Sequence, residues 1–207
     1  MIKNIIFDLG GVIYDIRYQN IADKFREYAD LDFNAVYGKY NQTDFIDLFE
    51  TGYISPEMFR NKIREILKIN LTDSQIDDAW NAILVDVPEK RVALLKKLKQ
   101  KYSLFLFSNT NQINYDYFVP YLNNKYGCNF FDVFFTKAYF SQLMHYRKPA
   151  QEGFYHILNE QHINADETLF VDDIEKNVSA AQSIGIQGFH LQDGMDVADI
   201  DFDALCG

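Results

Sequence analysis

Two cysteines, Cys128 and Cys206, are all the chain has. That is too few for a disulfide framework or a zinc site. The four histidines are scattered and fall into no metal-ligand spacing. No apolar run reaches the roughly 18 residues that a membrane-spanning helix needs, and the start shows no signal-peptide pattern. A soluble, cytoplasmic protein is therefore expected. Basic residues are in deficit, with 20 Lys and Arg against 30 Asp and Glu and a formal charge of -10. Nucleic acids and anionic membranes need a basic face, so neither is expected as a partner. An anionic substrate would need a local cation or metal to offset this field. Repeats and low-complexity linkers are absent too.

What is present is enough for a sizeable core. The chain has 207 residues, 48% of them hydrophobic, which fits one large α/β domain or one domain plus an insertion. Its 18 Phe and 14 Tyr are not interleaved with basic residues as a base-stacking surface requires. They read as core and domain-contact residues.

The chain is organised around its first apolar run. Ile2 to Phe7 reads as a buried parallel strand. It ends in Asp8, with Gly10 and Gly11 close behind. Ligands of open α/β sheets bind just outside the carboxyl ends of the strands, and glycines let backbone approach a ligand. The same pattern also suits an Asp that caps a turn. From about Ile16 to Asp86 the signals are helical. Ile21, Phe25 and Tyr28 recur at helical spacing, Ser55-Pro56 reads as an N-cap with Pro in the first turn, and Thr72 with Gln75 forms a capping box. A small helical domain over residues 16–86, inserted into a core of residues 1–15 and 87–207, is the expected organisation.

The α/β pattern resumes with a helix from Pro88-Glu89 and a strand, Ser103 to Phe107, that runs into Ser108-Asn109. Phe130 to Thr136 is a further candidate strand. Lys148-Pro149 precedes another helix, with Pro149 expected in its first turn. Thr168 to Val171 is a buried strand ending in Asp172-Asp173, and Ile186 to Leu191 is the last strand. Strands of one parallel sheet share a carboxyl edge, so Asp8, Ser108-Asn109 and Asp172-Asp173 can converge, with Lys148 near them. Taken singly, Ser108-Asn109 also suits an N-cap and Lys148 a solvated lysine. The adjacent carboxylates of Asp172 and Asp173 repel each other and need a metal or a lysine. Together the groups suit phosphoryl transfer. Hard oxygen ligands favour Mg²⁺, a carboxylate can attack phosphorus, and hydroxyl, amide and ammonium groups can hold the phosphoryl oxygens.

The order and spacing of FDLGGV (Asp8), FLFSNTN (Ser108), YRKP (Lys148) and LFVDDIEKN (Asp172, Asp173) resemble the haloacid dehalogenase-like superfamily. The likeness runs from Ile2 to about Leu191. It implies a Rossmann-like, doubly wound parallel sheet with a C1-type helical cap that closes over the site. Within the superfamily the motifs look most like a bacterial subgroup that includes an α-D-glucose-1-phosphate phosphatase. The resemblance implies Asp8 as nucleophile and metal ligand, the Gly10 carbonyl and Asp172 as further ligands of Mg²⁺, and Asp173 orienting metal-bound water or Lys148. It assigns Ser108 and Asn109 to the transferring phosphoryl group and Lys148 to neutralising the nucleophile and the phosphate. The implied partner is a small phosphate ester, such as a sugar phosphate; the sequence leaves the oligomeric state open, a monomer being compatible with it.

One position departs from the pattern. Family phosphatases usually carry a second Asp two residues after the nucleophile as general acid/base, and Gly10 stands there. Loss of a general acid costs about 10²–10⁴ in rate. A preference for good leaving groups is expected, unless Asp15 or a residue of the inserted helices protonates the leaving group. Dehalogenases of the superfamily also lack the second Asp, but in the family pattern they do not carry the acidic pair of the last motif. A binding module that keeps the site without turnover is the third reading, and it has no need of all these groups. Arg17 and Tyr18 stand where the helices begin and suit either substrate contact or a packed hinge. His145 suits a solvated loop residue, and Cys206 an ordinary tail residue.

Overall fold

The computed structural model describes residues 1–28 and 44–207. In chain order the elements begin with β1 (Asn4–Phe7), β2 (Asp15–Ile16), α1 (Gln19–Arg26), α2 (Asp44–Glu50), α3 (Pro56–Leu67), α4 (Asp73–Asn81) and β3 (Leu84–Asp86). They continue with α5 (Glu89–Leu98), β4 (Ser103–Ser108), α6 (Gln112–Tyr126), α7 (Phe130–Phe134), β5 (Lys137–Phe140) and α8 (Ser141–Met144). The last are α9 (Gln151–Gln161), β6 (Thr168–Asp172), α10 (Glu175–Gln182), β7 (Gln187–His190) and α11 (Phe202–Cys206).

Five strands form one parallel sheet in the order β5-β4-β1-β6-β7. Helices cover both faces, so the central strands β1, β4 and β6 carry unbroken apolar runs rather than alternating ones. Ile5, Phe7, Leu104, Leu106, Leu169 and Val171 point to one face, where Val92, Leu95, Phe118 and Phe130 meet them. Ile6, Phe105, Phe107 and Phe170 point to the other, against Phe154, Ile157 and Ala181 of α9 and α10. This is the doubly wound α/β sheet expected from the sequence. The tail joins the first face: Phe202 packs edge-on against Phe7, and the Cys206 carbonyl accepts from the Ile2 N–H at 3.3 Å.

Helices α1 to α4 bury a cluster of their own around stacked rings. Phe49 and Phe59 lie 4.2 Å apart, and Trp80 meets Phe59 edge-on at 4.5 Å. Ser55 caps α3 through the Met58 N–H, and Thr72 and Gln75 form the capping box that starts α4. The short antiparallel pair β2 and β3 ties the two ends of this segment together.

Two local expectations fail. Phe130 to Thr136 is not a strand: α7 occupies Phe130–Phe134, and the strand is Lys137–Phe140. Phe130, Phe131 and Phe134 sit at i, i+1 and i+4, which is a helix face, and all three are buried. Pro149 is not in the first turn of α9, which starts at Gln151 after Ala150. Asn109 pins the Lys148 backbone at both its N–H and its carbonyl, each at 2.9 Å. The chain is therefore held outside the helix at that point.

Candidate active site

Three neighbouring strands deliver the acidic and hydroxyl groups. β1 hands on to Asp8, β4 ends in Ser108 and β6 ends in Asp172, all at the carboxyl edge of the sheet. Oxygens of Asp8, Asp172 and Asp173 lie within 4.8 Å of one another. Lys148 reaches them from the loop after α8. Its Nζ donates to Asp8 Oδ1 at 2.6 Å and to Asp172 Oδ2 at 2.7 Å, and it is only 1% exposed. The rings of Phe107 and Phe170 flank the ammonium at 5.5 and 5.3 Å, a favourable placement for a cation over π-faces.

The electrostatics follow from burial and crowding. Burial pushes the Asp8 carboxyl up to about 7; Lys148 opposes this, and Asp172 and Asp173 add to it. Burial would lower the Lys148 ammonium, but the charges of Asp172 and Asp8 outweigh it and hold its pKa above the usual value. Asp172 is fully buried and held by the Ile174 N–H at 2.7 Å and by Asn177 Nδ2 at 3.1 and 3.2 Å. Asp173 is half-buried beside Gly11.

Two adjoining cavities of about 70 Å³ each open over these groups. Asp8, Lys148, Asp173 and Arg147 line the first. Ser108, Thr110 and Asn111 line the second. Gly10, Ile16, Tyr18, Glu50 and Asn109 line both.

Against this geometry, residues 2–185 match the model of the haloacid dehalogenase-like hydrolase family. The chain belongs to that family. It is 30% identical to a D-ribitol-5-phosphate phosphatase of Bacteroides thetaiotaomicron, over 95% of each protein. It is 31% identical to a sesquiterpene phosphatase of Aspergillus oryzae, over 93% of this chain and 91% of that one. Among solved structures, a haloacid dehalogenase-family enzyme of Bacteroides thetaiotaomicron, in complex with magnesium and inorganic phosphate, is 33% identical with a TM-score of 0.82. That match covers 95% of this chain and 97% of the other.

In this hydrolase the residues singled out from the sequence come together, with differences of detail. The Asn109 side chain is engaged with the Lys148 backbone, and so fixes the lysine as well as lining the cavities. Tyr18 lines both cavities, whereas Arg17 is exposed. Asp15 is ion-paired with Arg91 at 2.8 Å and lines neither of the two. His145 turns away: its Nδ1 is 2.8 Å from the Thr51 carbonyl oxygen and its ring lies against Tyr53.

The sequence reading did not find Glu50 and Arg147. Arg147 Nη2 lies 2.9 Å from Glu50 Oε2, and Nη1 pairs with Asp47. Arg147 stands directly before Lys148, and Asp47 and Glu50 lie on α2. Nothing in their spacing brings them together; only the position of the neighbouring lysine was a signal for Arg147. Among the described residues, no helix is long and apolar enough to cross a membrane.

Proposed function

We propose that the protein is a Mg²⁺-dependent phosphatase of small phosphomonoesters, with a sugar or polyol phosphate as the substrate class. The observation that carries this reading is the cluster of buried Asp8 and Asp172 with half-buried Asp173, bonded to the ammonium of Lys148 through Asp8 and Asp172. Lys148 is the cation bonded to this cluster, with Arg147 and Lys176 further along the cavity wall, and every donor of the cluster is a hard oxygen. That set fits Mg²⁺, and Asp8, Asp172 and the Gly10 carbonyl would hold it. The ion would supply charge neutralisation for the phosphoryl oxygens. The likeness to a D-ribitol-5-phosphate phosphatase and to a sesquiterpene phosphatase supports the phosphatase reading.

In this reading Asp8 attacks phosphorus and forms an aspartyl phosphate. Lys148 keeps the Asp8 carboxylate in place and meets the phosphoryl charge. Ser108, with Asn109, holds phosphoryl oxygens at the floor of the cavities. Asp173 orients the attacking water or Lys148. Residues 16–86 act as a cap whose α2 helix closes the far side, and glucose 1-phosphate and D-ribitol 5-phosphate are the first substrates to try. The acidic pair at the end of β6 has no use in halide displacement, which favours phosphoryl transfer over dehalogenation.

The test is release of phosphate from p-nitrophenyl phosphate, glucose 1-phosphate and D-ribitol 5-phosphate, with Mg²⁺ and with chelator. Turnover that needs Mg²⁺ and vanishes in Asp8→Asn is expected. Turnover that survives Asp8→Asn would sink the reading.

A further inference from the structure

An alkoxide leaves phosphorus only if a proton reaches its oxygen, and the loop after Asp8 offers none, since Gly10 has no side chain. Asp8 is the attacking group, Asp172 is enclosed by Lys148 and Asn177, and Asp15 is bound to Arg91. The phosphoryl group belongs where the two cavities meet, against Asp8 and Lys148 of the first and Ser108 of the second. In-line displacement sends the leaving group to the side of phosphorus opposite Asp8. Among the described residues, Glu50 is the carboxyl that lines both cavities. It stands at the boundary the two cavities share, beside the place of the phosphoryl group.

We infer that Glu50, at the end of helix α2, is the catalytic acid that protonates the leaving group; this rests on the phosphatase reading. The step balances as follows. Asp8 Oδ forms a bond to phosphorus while the bond from phosphorus to the ester oxygen breaks. That oxygen takes the Glu50 proton and departs as an alcohol, leaving Glu50 as carboxylate. Water then attacks the aspartyl phosphate and gives one proton back to Glu50. The Asp8 carboxylate is regenerated and phosphate is released.

Its surroundings suit both states. Arg147 faces Glu50 from the loop before Lys148, Asp47 flanks it on α2, and Lys148 acts from further off. Tyr18 faces it from the start of α1, where its hydroxyl senses Glu50 together with Asp173, Asp8 and Asp172. One guanidinium is shared by two carboxyls. Glu50 is buried while the Asp47 side chain is 44% exposed, so burial favours the neutral form at Glu50 more than at Asp47. Burial, opposed by Arg147 and helped by Asp47, pushes the Glu50 carboxyl up to about 7. After transfer, Arg147 is in place to hold the carboxylate.

The test is a series of substituted phenyl phosphates, from nitrophenyl to methoxyphenyl, together with D-ribitol 5-phosphate, in saturating Mg²⁺. Wild type should depend weakly on leaving-group basicity. Glu50→Gln should lose about 10²–10⁴-fold in kcat on the most basic leaving groups, and less than about tenfold on nitrophenyl phosphate, whose phenolate departs unprotonated. Glu50→Asp, which keeps an acid, should restore part of the shallow slope. A uniform loss across the series, reproduced by Arg147→Met, would make Glu50 only a support for Arg147 and overturn the inference. An unchanged Glu50→Gln would overturn it as well. A wild type that hydrolyses none of these esters would overturn the phosphatase reading itself.

Discussion

Lys148 Nζ lies 2.6 Å from Asp8 Oδ1 in an interior where the lysine is 1% exposed. This contact joins two residues 140 positions apart and places the cation on the atom proposed to attack phosphorus. The same ammonium also holds Asp172, so one side chain offsets two buried charges.

Lys148→Met leaves the carboxylates of Asp8 and Asp172 buried without their cation. Removing one partner of a buried pair costs about 3–5 kcal/mol. For a chain of this size that is a fall in Tm of roughly 6–20 °C. The fall should be largest in chelator and smaller in Mg²⁺, which supplies replacement charge. Thermal melts in both buffers check this, and an equal fall in each would detach the lysine from the metal site.

Mg²⁺ itself should stabilise the wild type. A ligand that binds only the folded state adds about 2.7 kcal/mol at a hundredfold excess over Kd, or roughly 5–10 °C here. Asp172→Asn removes a buried oxygen charge from the proposed ligand set and should flatten the dependence of Tm on Mg²⁺ concentration. A shift that persists undiminished in Asp172→Asn would place the ion elsewhere.

The sheet and most of the site were legible because parallel strands announce themselves twice. Ile5-Ile6-Phe7 and Leu169-Phe170-Val171 are buried on both faces and so are unbroken apolar runs, and each stops at a carboxylate. What escaped was tertiary. The phenylalanines of α7 look the same as a strand until the fold shows which face they bury. Pro149 looked like a first-turn proline because nothing local reveals that Asn109, 39 positions earlier, anchors Lys148. Glu50 and Arg147 are ordinary surface charges in sequence, and only the approach of α2 to the Lys148 loop pairs the buried Glu50 with the half-buried Arg147.

Gly11 has a φ of +84°, and a Cβ there would lie 2.5 Å from Asp173 Oδ2. Gly11→Ala therefore meets two costs. The backbone conformation is one that L-residues avoid, worth about 1–3 kcal/mol, and the Asp173 carboxylate must swing aside. Displacing a group that orients the metal's ligands lowers metal affinity by roughly 10–100-fold. Isothermal titration with Mg²⁺ should show that loss, and Asp173→Ala should show a similar one. If the double variant binds no more weakly than either single variant, Gly11 acts through Asp173; independent, multiplying losses would exclude it.

Glu50 supplies a pH dependence of stability whose sign can be worked out. Its carboxyl rises from 4.5 to about 7 on folding, mainly through burial. The folded state therefore holds its proton more tightly than the unfolded chain. The contribution is fully present below pH 4.5 and is lost as pH climbs through about 7, with a size on the order of 3 kcal/mol. Glu50→Gln carries no such charge, while Asp8 and every other group stay common to both proteins. The Tm of wild type minus that of Glu50→Gln should thus fall between pH 5 and pH 8.5 by roughly 5–10 °C. A gap that stays constant over this range would mean that Arg147 keeps Glu50 ionised throughout. An ionised Glu50 has no proton to give, so the same melts also bear on the leaving-group chemistry before any substrate is found.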